Sequence, residues 1–167
     1  NSDTFTYNGE AQSVEGFKDV IDGYAVSGLT AKATGTDFGE YTTKIEGTAK
    51  VKKGKEDVTE KVVVNVIPGK LTISRRNVTL TSASDDKVYD GHALKNETVT
   101  AEGFVKGQGA TYNVTGTITN VGEKANAFTY TLNEGTKADN YNITKTEGTL
   151  KVTPVTDKVT VTITGNT

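Results

Sequence analysis

The chain offers few residues that could do chemistry. His92 is its one histidine, set just after Tyr89-Asp90-Gly91. A general base there would need a partner group and a pocket. No Ser–His–Asp order and no HExxH spacing supplies either. His92 therefore reads as an exposed turn residue. Asp85, Asp86 and Asp90 cluster in one stretch, and Asp139 and Asn140 sit together in another. Calcium takes several oxygen ligands at loop spacing. Neither the EF-hand nor the RTX pattern is present, so these residues read as solvated turns, with a calcium site at the junction of two domains as the alternative. No catalytic residue, cofactor or metal ligand is assigned.

Other groups test binding. The Lys-rich "KVKKGKEDVTEK" (50–61) is balanced by acids and reads as a solvated hairpin whose charges discourage edge pairing. Nucleic-acid binding would want a basic stripe with stacking aromatics, which this segment lacks. Tyr24, Tyr41, Tyr112, Tyr130 and Tyr141 could stack on sugar. There is no Trp, and most of these tyrosines lie in alternating strands, so core or half-buried use is expected. Asn77, Asn96, Asn113 and Asn142 open N-x-(S/T) sequences, which a Thr-rich chain produces by chance. A Lys–Asn or Lys–Asp isopeptide staple needs a buried Lys, an Asn or Asp and a carboxylate, and no spacing singles out such a set.

The elements that carry these residues are strands. The 167 residues are 34% hydrophobic and 24% charged, with net charge -2 and no Cys, Met or Trp. That length suits one large domain or two small ones, and the composition a folded, redox-inert, β-rich chain without disulfides. No apolar run approaches the roughly 18 residues of a membrane span. Helical periodicity is nearly absent. Period-two alternation over 61–74, 77–84, 111–120, 127–132 and 141–154 predicts strands. Pro68 and Pro154 sit near strand ends, where a missing N–H costs least.

The chain also answers itself at a spacing of about 80 residues. "TFTYNGEA" (4–11) matches "DKVYDGHA" (86–93), and "VEGF" (14–17) matches "AEGF" (101–104). "ATGTDFGEYTTKIEGT" (33–48) matches "VTGTITNVGEKANAFTYTLNEGT" (114–136), and "IPGKLTIS" (67–74) matches "TEGTLKVT" (146–153). The matches fall in one order. They predict a first β repeat over 1–75, a second over 76–154, and a tail, 155–167, that begins a third. "RRNVTLTSAS" and "TDKVTVTITGN" occupy the same place, just after a closing strand. By this reading the first repeat lacks its opening strand, and the chain is a fragment of a longer protein.

"VYDG" (88–91), "NYNIT" (140–144) and "GTLKVTP" (148–154) resemble the YDG/MBG-type repeats of long bacterial surface proteins. In these a Y-(D/N/G)-G turn opens the repeat and an "NYxIT…GTLxI" hairpin closes it. Residues 76–154 fit well. The first repeat keeps Tyr7-Asn8-Gly9, but its closing arm "VVVNVIPGKLTI" has no Asn-Tyr pair. The resemblance implies a multi-repeat protein attached to the bacterial cell wall or secreted, adhesin-like, with no catalytic residue to carry over.

The expected fold is all-β: two tandem small domains, immunoglobulin-like sandwiches, with a β-grasp as the alternative. "TDFGEYTTKI" (36–45) reads as a D-x-G-x-Y corner, in which a Tyr hydroxyl ties back to the backbone upstream. The expected function is a non-enzymatic stalk or spacer on the bacterial surface. The alternative is an adhesion module for a host glycan or matrix protein. Expected partners are neighbouring repeats. Val159, Val161 and Ile163 of the tail are further expected to add as a strand to the first domain of another molecule, head to tail.

Overall fold

The computed structural model describes residues 1–18, 21–157 and 159–165. Among these the chain is all-β, with fifteen strands, two short 3-10 turns and no α-helix. A β-grasp requires a helix, so nothing described supports that alternative. The chain divides into two compact units. The first comprises Asn1–Asn77 with Gly103–Gly107 and Lys137–Asn142; the second comprises Val78–Glu102, Gln108–Thr136 and Ile143–Thr167.

In the first unit, β7 (Lys70–Ser74) is the centre of a three-stranded sheet, parallel to β1 (Asp3–Thr6) and antiparallel to β4 (Gly39–Thr42). Its sequence KLTIS alternates, so Leu71 and Ile73 point to one face and are fully buried. A parallel pair cannot be joined by a tight turn, so a long crossover lies between β1 and β7. That crossover forms an antiparallel sheet in the order β2 (Gln12–Glu15), β3 (Tyr24–Gly35), β5 (Lys44–Lys53), β6 (Glu56–Asp57). Val14, Ala31, Ala33 and Val51 bury its inner face. The Lys-rich segment makes the expected hairpin, with Lys52 opposite Asp57 and Lys53 opposite Glu56. Tyr141 joins this unit's core, edge-on to Tyr7 at 5.4 Å and to Phe104 at 5.2 Å.

In the second unit, β8 (Arg76–Ser82) lies between β10 (Val99–Glu102) and β14 (Tyr141–Thr146). Two further sheets follow. β11 (Ala110–Val114) pairs with β13 (Phe128–Leu132), and β15 (Thr149–Thr153) lies between β9 (Asp85–Val88) and β12 (Gly122–Ala125). Val78, Leu80, Phe128, Leu150 and Val152 are buried.

The three-stranded sheets of the two units share order, direction and register. Leu71 stands opposite Asp3 and Tyr41, and Leu150 opposite Asp85 and Lys124. Ile73 stands opposite Phe5 and Gly39, and Val152 opposite Lys87 and Gly122. The turns after β1 and β9 match as well. Tyr7 N donates to Ser74 O at 2.9 Å, and Tyr89 N to Thr153 O at 2.8 Å. Asn8 Oδ1 accepts from Glu10 N, and Asp90 Oδ1 from His92 N, both at 2.9 Å.

Three expected strands come out differently. Residues 111–120 form a strand only as far as Val114, and Ile118 makes an isolated bridge to Leu94. Residues 61–74 form a strand only from Lys70. Val62, Val64 and Val66 are half-buried while Val63 and Ile67 are 96% and 80% exposed. The tail, described at 157 and 159–165, belongs to no strand either. The physical reason is common to the last two. Alternation sets which side chains can share a face, but a strand exists only where its backbone groups find a ladder.

Candidate functional site

The titratable residues do not converge. The His92 side chain is 86% exposed, and its Nδ1 lies 3.1 Å from the carbonyl of Asp90. Asp90 accepts from Lys87 Nζ at 2.6 Å and from His92 N at 2.9 Å. Those two bonds, the lysine's first, hold its carboxyl below the usual range. Asp85 accepts from Asp86 N at 2.9 Å and from Asn96 at 3.0 Å. The Asp85 and Asp90 carboxylates are thus each engaged by neighbouring groups. Among the described residues no group of three or more His, Asp or Glu is placed to hold a metal ion.

Asp139 and Asn140 separate in role. Asp139 presents its carbonyl to Arg75 Nε at 2.9 Å. Asn140 is 1% exposed; its Oδ1 accepts from Phe38 N at 2.7 Å and its Nδ2 donates to Asp37 at 2.9 Å. Lys137 Nζ reaches the other Asp37 oxygen at 2.6 Å. This trio has the residue types of an isopeptide staple. It lacks the buried lysine that a staple needs, because the Lys137 side chain is 65% exposed. It is an ion pair with a buried amide behind it.

The Lys137 and Asn140 hydrogen bonds hold the Asp37 carboxyl below its ordinary value. A depressed folded-state pKa adds stability that is complete above the unfolded value, near 4, and fades as pH falls through the folded value. Denaturant midpoints of the chain should therefore drop more steeply between pH 5 and pH 2.5 than those of Asp37→Asn. The difference should be small and shrink with added salt, since Asp37 is 43% exposed. Parallel pH curves would remove the assigned role.

The corner read from D-x-G-x-Y forms: Tyr41 Oη donates to the carbonyl of Asp37 at 2.9 Å. The Tyr41 ring lies so close over Gly35 that a Cβ there would meet it at 2.3 Å. In the second unit Lys124 takes the Tyr41 position, and it is Asn126 that lies over the matching glycine, Gly116. Asn126, fully buried, donates to Ala83 O at 2.9 Å and to Asn96 O at 2.8 Å. Its amide oxygen lies 2.2 Å from where a Gly116 Cβ would stand. Nothing in the spacing of "EKANAF" marks Asn126 as buried.

Of the tyrosines considered for sugar stacking, Tyr141 is buried, Tyr41 and Tyr112 are half-buried, and Tyr24 and Tyr130 are each 37% exposed. Tyr24 lies under Lys53 Nζ at 5.5 Å, and Tyr130 on β13 stands opposite Tyr112 on β11.

What the surface does present is unused strand-forming sequence. Val159, Val161 and Ile163 are 86%, 76% and 89% exposed. In the first unit β2 is the edge strand of its sheet, and the apolar run 62–67 lies outside every strand. Comparison with family models, with curated proteins and with solved structures found no match to the chain.

Proposed function

We propose that the chain is a pair of tandem β repeats, immunoglobulin-like in character, from a bacterial cell-surface protein, and that it acts as a non-enzymatic stalk or spacer presenting a distal binding region. The observation that carries this reading is the residue-for-residue equivalence of the two three-stranded sheets and of the Tyr7-Asn8-Gly9 and Tyr89-Asp90-Gly91 turns. Serial copies of one unit make an extended array whose stability sums over units and junctions. The YDG/MBG resemblance supports a bacterial surface location. The Tyr41–Asp37 corner supports the immunoglobulin-like character of the first unit.

Pulled from its two ends in a single-molecule force experiment, the chain should unfold in two steps. Each step should release on the order of 250 Å of contour, at about 3.5 Å per residue. The same chain on glycan and host-matrix arrays should give no saturable signal. A saturable signal would replace the stalk with an adhesion module, and a gradual extension without discrete steps would remove the load-bearing array.

A further inference from the structure

The run 62–67 and the tail, as described at 157 and 159–165, both have strand sequence and no ladder, and the second unit shows what each is missing. Aligning Pro68-Gly69-Lys70-Leu71 with Glu147-Gly148-Thr149-Leu150 places residues 62–67 on β14, residues 141–146. The 3-10 turns Thr59–Lys61 and Ala138–Asn140 precede the two segments at the same distance. Aligning Glu15-Gly16-Phe17 with Glu102-Gly103-Phe104 places β2 on β10. In the second unit, β8 lies between β10 and β14. In the first, no described strand lies between β2 and residues 62–67.

The open edge of β2 is also the correct edge. Gly16 N donates to Ala31 O, so the residues at even positions, Gln12 and Val14, turn their backbone groups toward β3. Ser13 and Glu15 turn theirs away. On β10, Thr98 O accepts from Ala83 N, so Thr98, Thr100 and Glu102 face β8. Ser13 and Glu15 are the counterparts of Thr100 and Glu102. They present the same side to the vacant place. Asn1 covers one end of it, with Nδ2 donating to Glu15 O at 2.8 Å.

The tail matches the strand that fills this place in the second unit. Val159, Val161 and Ile163 take the positions of Val78, Leu80 and Ser82, which are 1%, 0% and 1% exposed. Thr160 and Thr162 take those of Thr79 and Thr81 on the outer face. We propose that the tail strand of one molecule inserts beside β2 of the first unit of a second copy, against residues 62–67, and so assembles the protein head to tail. Thr160 then stands opposite Glu15 and Thr162 opposite Ser13, as Thr79 and Thr81 stand opposite Glu102 and Thr100. Val159, Val161 and Ile163 turn inward, and the Asn1 side chain is displaced from the Glu15 carbonyl. Two different surfaces meet, so the contact is heterologous and propagates. The inference rests on the equivalence of the two units and is independent of the stalk reading.

Sedimentation velocity over a range of concentrations tests it. The intact chain should form a concentration-dependent series of oligomers, and the chain lacking residues 157–167 should be monomeric. Thr162→Pro, which removes the N–H facing Ser13 and lies outside every described strand, should also be monomeric with an unchanged circular-dichroism spectrum. The tail-less chain keeps the β2 edge, so mixing it with intact chain should shorten the oligomers. A peptide of residues 157–167 should bind the tail-less chain one to one and slow amide exchange at Ser13 and Glu15. Oligomers that persist in the tail-less chain overturn the proposal. So does a tail-less chain that leaves the intact oligomers unchanged, which would mean tail-to-tail pairing. An intact chain that is monomeric at every concentration overturns it too, whether its Ser13 and Glu15 amides are protected by its own tail or exchange freely. Failure of these tests would leave the two-step force signature intact, and loss of that signature would leave these tests intact.

Discussion

Asn126→Leu should destabilise the second unit by about 2–4 kcal/mol, read as a lower urea midpoint and faster amide exchange in β8 and β15. The side chain is fully buried, and its two N–H groups hold the carbonyls of Ala83 and Asn96, residues that are themselves half-buried. Leucine fills similar volume but donates nothing. Each orphaned acceptor then costs about 1–3 kcal/mol, offset in part because leucine also removes Asn126 Oδ1, which is buried without a hydrogen-bond partner among the described residues. The Asn126 backbone holds the same place. Its N–H donates to Gly148 O at 2.7 Å, Ser82 Oγ donates to its carbonyl at 2.6 Å, and Gly148 N donates back to Ser82 Oγ at 3.0 Å. Leucine leaves these bonds in place, so the loss should stay near the sum of two hydrogen bonds and not melt the unit. Asn126→Asp should be worse at neutral pH, because a buried carboxylate would face those carbonyls with no proton to offer. Its burial would raise the folded-state pKa, so that variant should regain stability as pH falls. An Asn126→Leu chain as stable as the parent would mean that water serves both carbonyls or that losing the unpartnered Oδ1 balances the two lost bonds.

The contrast between Tyr41 and Asn126 shows where sequence reading stops. The Tyr41 corner was legible because its chemistry is local: a hydroxyl four residues from the carbonyl it binds, across a glycine turn. Asn126 binds Ala83 and Asn96, 43 and 30 residues away, so no window around it records the need. The strands at 77–82 and 128–132 were legible because alternation and a ladder coincide there. "KVVVNVI" and "VTVTIT" alternate as well, yet neither is a strand, because the partner is a property of the fold and not of the segment. The same limit hid the grouping of Gly103–Gly107 and Lys137–Asn142 with the first unit. Phe104 and Tyr141 read as second-repeat residues by order along the chain, while their aromatic contacts run to each other and to Tyr7. For the candidate surface the legible part was the tail itself. The edge that could receive it required knowing that β2 ends its sheet and which of its residues face outward.

Gly28→Ala should cost the first unit about 3 kcal/mol, close to the effect at Asn126 but by a steric route. β3 and β5 run in register from Lys32–Lys44 to Leu29–Gly47 and resume at Ser27–Lys50, so Gly28 alone faces Thr48 and Ala49. This bulge bends the long hairpin that carries Val26 and Val51. Gly28 has φ +81°, a conformation that costs an L-residue about 1–2 kcal/mol. Its Cβ would stand 2.2 Å from the carbonyl oxygen of Thr48, a backbone atom fixed in the paired strand. Relieving that overlap means opening the ladder, typically another 1–3 kcal/mol. Gly23→Ala separates the two causes. Gly23 has φ +82° but nothing within 4 Å of its Cβ position, so it should show the conformational cost alone. Equal losses at positions 23 and 28 in urea titrations would mean that the bulge yields freely. A Gly28 loss at least twice that at Gly23 would place the rigidity of the first unit in the β3–β5 ladder.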